Sequence, residues 1–297
     1  MVSSTGSKPP NARRSSRTAD VRPSEVLLRA ADYLERHQVQ SPAINAEVLL
    51  AGVLGLDRSG LYRRTEGLSA AEAKLFGRAL CRRCVGTPLQ HITGEQGFRR
   101  LTLKVRQGVF VPRMETEMVV EVGLAAIRSL DAPNVVDLGT GSGAIALAIA
   151  NEHPGAHVWG IDLSEDAVSL AVANAEHLGL DVAVISGDLW EGVPPELEGA
   201  IDLLITNPPY LEAEELSGLP HDVRADPEDS LLGGMAMHRR VVLQVPSWLR
   251  PGGLFVTEIG DEQGPEVAAL AEAAGLGQVE VHQDLTGRDR AVSGRKP

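Results

Sequence analysis

Val135-Val136-Asp137-Leu138-Gly139-Thr140-Gly141-Ser142-Gly143-Ala144-Ile145-Ala146-Leu147-Ala148-Ile149-Ala150 decides the fold of this 297-residue chain. Its first four residues read as a short buried strand and its last seven as a helix, with a glycine-rich turn between. Glycine permits positive φ and lets a ligand approach the backbone closely. Packing of helix on strand alone would also use such a turn. About twenty residues on, Trp159-Gly160-Ile161-Asp162 reads as a second strand ending in a carboxylate, suited to accept hydrogen bonds from both ribose hydroxyls of an adenosine group. Gly139, Thr140, Gly141, Ser142, Gly143, Asp162 and the adjacent Leu163 are the first candidate cofactor-binding residues.

The glycine pattern does not name the cofactor. Gly139-x-Gly141-x-x-Ala144 satisfies the dinucleotide fingerprint, which admits alanine at the third place. A nicotinamide dehydrogenase and an S-adenosylmethionine methyltransferase are both open at this point. A third strand, Val182-Ala183-Val184-Ile185-Ser186, leads to Gly187-Asp188-Leu189. Asp188 can accept from the exocyclic amine of adenine, with Leu189 and Trp190 lining the ring.

The fourth strand, Ile201-Asp202-Leu203-Leu204-Ile205-Thr206, runs into Asn207-Pro208-Pro209-Tyr210. Proline fixes φ and has no N–H, so two in succession make a stiff turn whose carbonyls have no ladder to join. An amide side chain, a free carbonyl and a ring suit a planar group bearing NH2: two acceptors hold its N–H bonds and the ring covers its flat face. Asn-Pro and Pro-Pro are also ordinary turn signals. In α/β proteins ligands bind outside the carboxyl ends of the strands, so the four strand ends converge on one crevice. Together they describe a methyltransferase acting on an amino or amide nitrogen, with Asn207, Pro208 and Tyr210 as catalytic candidates. A dehydrogenase has no use for the last element.

These motifs resemble the HemK/PrmC-type protein N5-glutamine methyltransferases, and the resemblance runs over about 24–295. It includes Ser41-Pro42-Ala43-Ile44-Asn45-Ala46-Glu47-Val48-Leu49-Leu50, Pro88-Leu89-Gln90-His91-Ile92-Thr93-Gly94 with Phe98, Val111-Pro112-Arg113-Met114-Glu115-Thr116-Glu117, and Asp284-Leu285-Thr286-Gly287-Arg288-Asp289-Arg290. The strand-end motifs are shared with DNA and RNA adenine methyltransferases; the segment from Pro112 to Glu117 and the helical amino-terminal part are more specific to the glutamine enzymes. The resemblance implies S-adenosyl-L-methionine as cofactor and the glutamine of the Gly-Gly-Gln motif of class 1 peptide chain release factors as substrate, with a glutamine of another protein, such as a ribosomal protein, as the alternative. It implies that Asn207 and Pro208 accept the two N–H groups of that amide, that Tyr210 packs on its plane beside Pro209, and that Phe98 walls the site. It also implies that Arg113 pairs internally with an acid such as Glu117. Met114 stands where the family usually has proline. The stretch from Leu231 to His238 is shorter than usual and lacks an Asp-Gly before its helix.

Net charge −12 argues against tight binding to a phosphate backbone, which needs a basic surface. An acidic face suits a basic protein partner. No apolar run approaches about 18 residues and no h-region opens the chain, so a cytoplasmic, monomeric enzyme with no membrane or direct nucleic-acid contact is expected. Cys81-Arg82-Arg83-Cys84 lacks the second pair a zinc site needs and falls in a helical stretch, so its expected role is structural. No histidine pair has metal-ligand spacing, no metal is expected, and His238-Arg239-Arg240 reads as a solvated helix end.

Four segments follow. Residues 1–22 are polar and Pro-rich, and are expected to be a disordered tail. Residues 23–87 carry apolar groups at helical spacing, with Ser24, Ser41 and Ser69 as candidate N-caps; they form a small helical bundle assigned to substrate recognition. In 88–112 the period shifts toward two, with Leu101, Leu103 and Val105 alternating and Gln107-Gly108 as the turn of a hairpin linker. Residues 113–297 alternate strands and helices, ending with strands near 252–259, 278–283 and 290–293. The expected fold is α/β: a seven-stranded, doubly wound, Rossmann-like methyltransferase sheet.

Overall fold

A computed structural model describes residues 22–219 and 222–297. The tail expected over 1–22 lies, apart from Arg22, outside the described residues. The chain divides into two compact units, one reaching Thr93 and one beginning at Gly94.

The first unit is helical: α1 (Pro23–Arg36), α2 (Pro42–Leu54), α3 (Arg58–Arg63), α4 (Ala70–Cys84) and the single turn α5 (Leu89–Thr93). Leu27, Leu34, Leu49, Leu50, Leu61 and Phe76 close its core. Ser69 caps α4 with a full capping box, exchanging bonds with Glu72. The Arg64 guanidinium grips Glu72 through both carboxylate oxygens and holds that carboxyl well below its usual range. The other two expected caps fail. Helix α1 starts at Pro23, ahead of Ser24, because proline is already preset for the first helical position. Ser41 adopts a left-handed conformation and makes no side-chain cap; Asn45 reaches back to the Ser41 and Gln40 carbonyls instead. Cys81 and Cys84 are free thiols on α4.

The second unit opens with a hairpin, β1 (Glu95–Phe98) and β2 (Leu101–Lys104). Its turn is Arg99-Arg100, not Gln107-Gly108. Arg99 holds a positive φ that local sequence disfavours. Three acids from elsewhere impose it: Glu117 accepts the Arg99 N–H, while Glu152 and Glu121 grip the guanidinium. There follow α6 (Thr116–Ile127), β3 (Asn134–Leu138), α7 (Ala144–Glu152), β4 (His157–Asp162), α8 (Glu165–Leu178), β5 (Ala183–Ser186), β6 (Ile201–Thr206), α9 (Gly234–Val242), α10 (Val245–Trp248), β7 (Leu249–Glu258), α11 (Gly264–Ala273), β8 (Gly277–Gln283) and β9 (Asp289–Arg295).

These strands form one seven-stranded sheet in the order β5-β4-β3-β6-β7-β9-β8. The first five are parallel; β9 runs antiparallel to both β7 and β8. Order reverses beside β3, whose neighbours are β4 and β6, and that is the switch point where α/β sheets bind ligands. Period-two alternation splits the core. Val135, Leu203, Ile205 and Val256 face α6, α7 and α8; Val136, Leu138, Leu204 and Phe255 face α9, α10 and α11. The sheet is therefore doubly wound, as the alternation of strand and helix implies. Among the described residues no helix is long and apolar enough to cross a membrane.

Two buried polar residues fix the glycine turn. Helix α7 has Gly143 at its N-cap and so no capping side chain. Asp137, inside β3, takes that role: its Oδ2 accepts from the Ala146 N–H (3.2 Å) and the Thr140 hydroxyl (2.6 Å). Burial pushes its carboxyl up to about 7, against the pull of those two bonds. Asn174, on α8 and fully buried, exchanges bonds with Lys104 in both directions (2.8 and 3.1 Å) and donates to the Ser142 carbonyl (2.9 Å). It ties the hairpin to the turn.

Asn174→Ala would remove one buried and two part-buried hydrogen bonds to backbone and is expected to cost about 2–4 kcal/mol in urea unfolding; a loss under about 1 kcal/mol would show that the tie is dispensable. For Asp137 the folded-state proton affinity is raised above the ordinary 3.8, so its contribution favours the fold at low pH and is lost as pH rises through about 7. Asp137→Asn keeps the acceptor and cannot ionise. Its melting temperature relative to the parent should rise between pH 5 and pH 8, and a constant difference would contradict the buried charge.

Candidate functional site

Register builds the site. Leu138 pairs with Ile161 on β4 and with Thr206 on β6, Asp162 pairs with Ser186 on β5, and Thr206 pairs with Thr257 on β7. One step further along, Ser186, Asp162, Gly139, Asn207 and Glu258 fall on one level across five adjacent parallel strands. With strands spaced about 4.8 Å apart, Asp162 and Glu258 lie about 14 Å from each other. The glycine turn and the Asn-Pro-Pro-Tyr elbow are immediate neighbours in that row.

The turn is shaped as a cradle. Gly139 and Gly141 have φ of 72° and 58°, and a side chain built on either would meet no atom within 4 Å. Open space above a strand-to-helix turn fits a ligand laid against backbone. Asp162 stays partly exposed while its two oxygens accept from the Gly141 and Ser164 N–H groups at 2.8 and 2.9 Å. Both bonds come from backbone, so the carboxylate is fixed in place and keeps lone pairs for hydroxyl donors; burial nevertheless raises its proton affinity. Leu163, next in the chain, is 68% exposed, an apolar face open to a flat ring. Acid, apolar residue and bare glycine backbone fit an adenosine-bearing sulfonium cofactor. Thr140 and Ser142 are buried and shape the turn from below.

The far end of the expected adenine site is arranged differently. Both carboxylate oxygens of Asp188 are bonded by Arg240 at 2.9 and 2.8 Å. Trp190 is buried, donating to the Arg240 carbonyl and stacking on Trp248 at 5.5 Å. It belongs to the core. Leu189 has positive φ and remains partly exposed.

The elbow follows β6, whose ladder ends at Thr206. Pro208 is buried; Asn207, Pro209 and Tyr210 are half-buried. The Asn207 Nδ2 donates to the Thr116 hydroxyl on α6 (3.1 Å), so its Oδ1 is the end left for a ligand. The Tyr210 hydroxyl donates to Glu258 Oε1 (3.3 Å), and the Tyr210 carbonyl accepts from Gln263 (2.8 Å). Burial and the Glu258 charge push the phenol well above its ordinary range, so it stays protonated. Behind the elbow, Leu211 and Gly233 exchange the chain back on itself through Leu211 N–H to Leu231 and Gly233 N–H to Leu211. A side chain at Gly233 would lie 2.2 Å from the Pro209 carbonyl oxygen, which explains glycine there.

Three expected placements are corrected. Phe98 is 1% exposed within the hydrophobic core and has no surface to offer a ligand. Arg113 pairs with Asp226, which also accepts the Val111 N–H, and not with Glu117, which is held by Arg99. His238 is fully buried, not solvated; its face of α9 turns inward beside Val241 and Val242, and its Nε2 meets Gln263 at 3.3 Å. Burial keeps it neutral, with a pKa of about 4.

Thr116, Glu258 and Gln263 were not anticipated from the sequence. Glu258 had the same signal as Asp162 and Asp188, an acid closing a buried strand. Among the described residues no cluster of His, Cys, Asp and Glu could hold a metal.

Residues 25–94 match the family model of the PrmC N-terminal domain and residues 100–220 that of the methyltransferase small domain. The release factor glutamine methyltransferase of Moorella thermoacetica is 41% identical over 273 residues, spanning 90% of this chain and 95% of that one. That of Deinococcus radiodurans is 38% identical over 277 residues, spanning 92% and 98%. Among solved structures, the catalytic domain of hMettl16 in complex with the MAT2A 3'UTR hairpin 6 superposes with TM-score 0.54 at 14% identity, over 74% of this chain and 82% of that one, which is agreement in fold. The chain belongs to the release factor glutamine methyltransferase family.

Proposed function

We propose that this enzyme transfers a methyl group from S-adenosyl-L-methionine to the side-chain N5 nitrogen of a protein glutamine, that of the Gly-Gly-Gln motif in class 1 peptide chain release factors. The observation that carries the reading is the commitment of the Asn207 nitrogen to Thr116, which leaves its oxygen as an acceptor one strand away from the glycine cradle. The relatives' names supply the substrate.

The chain's own part is positional. Gly139 and Gly141 present bare backbone, Gly143 lies buried beside Leu147 and Ala171 at the start of α7, Asp162 takes the ribose hydroxyls, and Leu163 and Leu189 flank the adenine. Asp188 reaches the adenine amine through whatever acceptor capacity its Arg240 pair leaves. Bound there, the cofactor supplies an activated methyl on a sulfonium that departs as a neutral thioether. An amide nitrogen is a poor nucleophile because its lone pair is delocalised into the carbonyl. Asn207 Oδ1 and the Pro208 carbonyl accept one N–H each, which aims the nitrogen and favours the pyramidal geometry of the transition state. Pro209 stiffens the elbow, and Tyr210, anchored at hydroxyl and carbonyl, covers the amide plane. Positioning of this kind can supply as much as roughly 7–11 kcal/mol. No strong base is required, since the nitrogen becomes acidic once it carries positive charge. The helical unit recognises the protein substrate, and the enzyme acts as a cytoplasmic monomer without direct nucleic-acid contact.

The purified enzyme with labelled cofactor should label release factor, and not ribosomes, DNA or a release factor whose Gly-Gly-Gln glutamine is replaced by alanine; label on the alanine variant would overturn the reading. Asn207→Ala is expected to lower turnover at least about a hundredfold, by analogy with loss of one preorganised polar group. Asp162→Ala should weaken cofactor binding in calorimetry while the melting curve stays cooperative; unchanged affinity would remove Asp162 from the site.

A further inference from the structure

We propose that Gln263 is a positioning residue for methyl transfer: its side-chain amide pins the carbonyl of Tyr210 and so fixes the far end of the elbow that clasps the substrate amide. This deepens the glutamine-methylation reading and rests on it.

The elbow needs such a pin. Its near end is set by the sheet, because Thr206 is paired with both β3 and β7. Beyond it, Pro208 and Pro209 fix φ, leave ψ free and offer no N–H to a neighbour. The chain is held again at the peptide plane between Tyr210 and Leu211. The carbonyl of that plane accepts from Gln263 Nε2 at 2.8 Å, and its N–H donates to the Leu231 carbonyl at 2.9 Å. A planar group bonded on both edges resists rotation about its axis. With the Tyr210 hydroxyl on Glu258, the residue whose ring covers the substrate amide is held at both ends.

Gln263 is fixed in turn by partners that each have one role. Its Oε1 accepts the Gly260 N–H at 3.0 Å, and its own backbone N–H returns to the Gly260 carbonyl at 3.1 Å, closing the turn between β7 and α11. A backbone N–H only donates and a carbonyl only accepts, so reversing the amide end for end would break both of its backbone bonds. His238 Nε2 lies 3.3 Å from the same oxygen. An amide oxygen only accepts, so Nε2 carries the ring proton; Nδ1, buried without a partner among the described residues, is the bare nitrogen. Two donors on Oε1 polarise the amide and strengthen the bond from Nε2 to Tyr210. The turn after β7 thus reaches back across 53 residues to hold the elbow.

Gln263→Met keeps the length of the side chain and removes the donor. Turnover of the full-length enzyme on release factor should fall about tenfold to a hundredfold, the range reached when a reacting group is misplaced by about 1 Å. The loss should sit in kcat, with KM for release factor and calorimetric cofactor affinity within about twofold of the parent's. Gln263→Glu has the same shape but turns an oxygen toward the Tyr210 carbonyl, and at pH 8 it should lose at least as much as Gln263→Met. Hydrogen exchange at the Leu211 amide needs no protein substrate. It should quicken about tenfold in Gln263→Met, while the Ala146 amide in α7 keeps its parental rate. A parent that leaves release factor unlabelled, while Leu211 exchange responds to Gln263→Met, would overturn the substrate and leave the pin standing. A parental kcat in Gln263→Met or Gln263→Glu, an equal loss of cofactor affinity, or unchanged exchange at Leu211 would overturn the pin itself.

Discussion

The aligned register of five parallel strands at their carboxyl ends is the constraint on which the site depends. It brings Asp162, Gly139, Asn207 and Glu258 to one level at the carboxyl edge of the sheet. Both faces of the sheet are covered by helices, so polar side chains find few places within it. At the edge the ladder ends, and acceptors and donors become available to a ligand. A slip of one residue on any strand would exchange the side chains it gives to the two helical layers. The hydrophobic alternation that builds the core therefore also aligns the chemistry.

The exceptions within the sheet serve the turn. Asp137 is a carboxyl held inside β3 because Gly143, which must take a left-handed N-cap conformation, has no side chain to cap α7. Asn174, on α8, holds the same turn through the Ser142 carbonyl. Flexible residues are thus immobilised by rigid buried partners, which is the condition for a preorganised ligand cradle.

What was legible in the sequence was local. The glycine turn, the strand-ending Asp162, the elbow and the Ser69 cap each depend on residues a few positions apart, and the alternation of strands and helices fixes the doubly wound sheet. Contacts between distant segments were not legible. Arg99 turns the hairpin because acids 18 to 53 residues away hold it. Arg113 finds Asp226 across 113 residues rather than the nearby Glu117. His238 looks solvated beside two arginines, yet helical spacing to Val241 and Val242 carries it inward. Glu258 lies between these cases: its position at a strand end was readable, and its partnership with Tyr210 was not.

The closure of the chain behind the elbow has an evolutionary consequence. Leu211 is bonded to Leu231 and bridged to Leu232, and Gly233 abuts Pro209. The intervening stretch is clamped at its base, so its length and composition can drift without disturbing the backbone that holds Asn207. Lengthening such a closed excursion costs little free energy, about 0.6 kcal/mol for each doubling. A lineage can therefore retailor the surface around a fixed reaction centre.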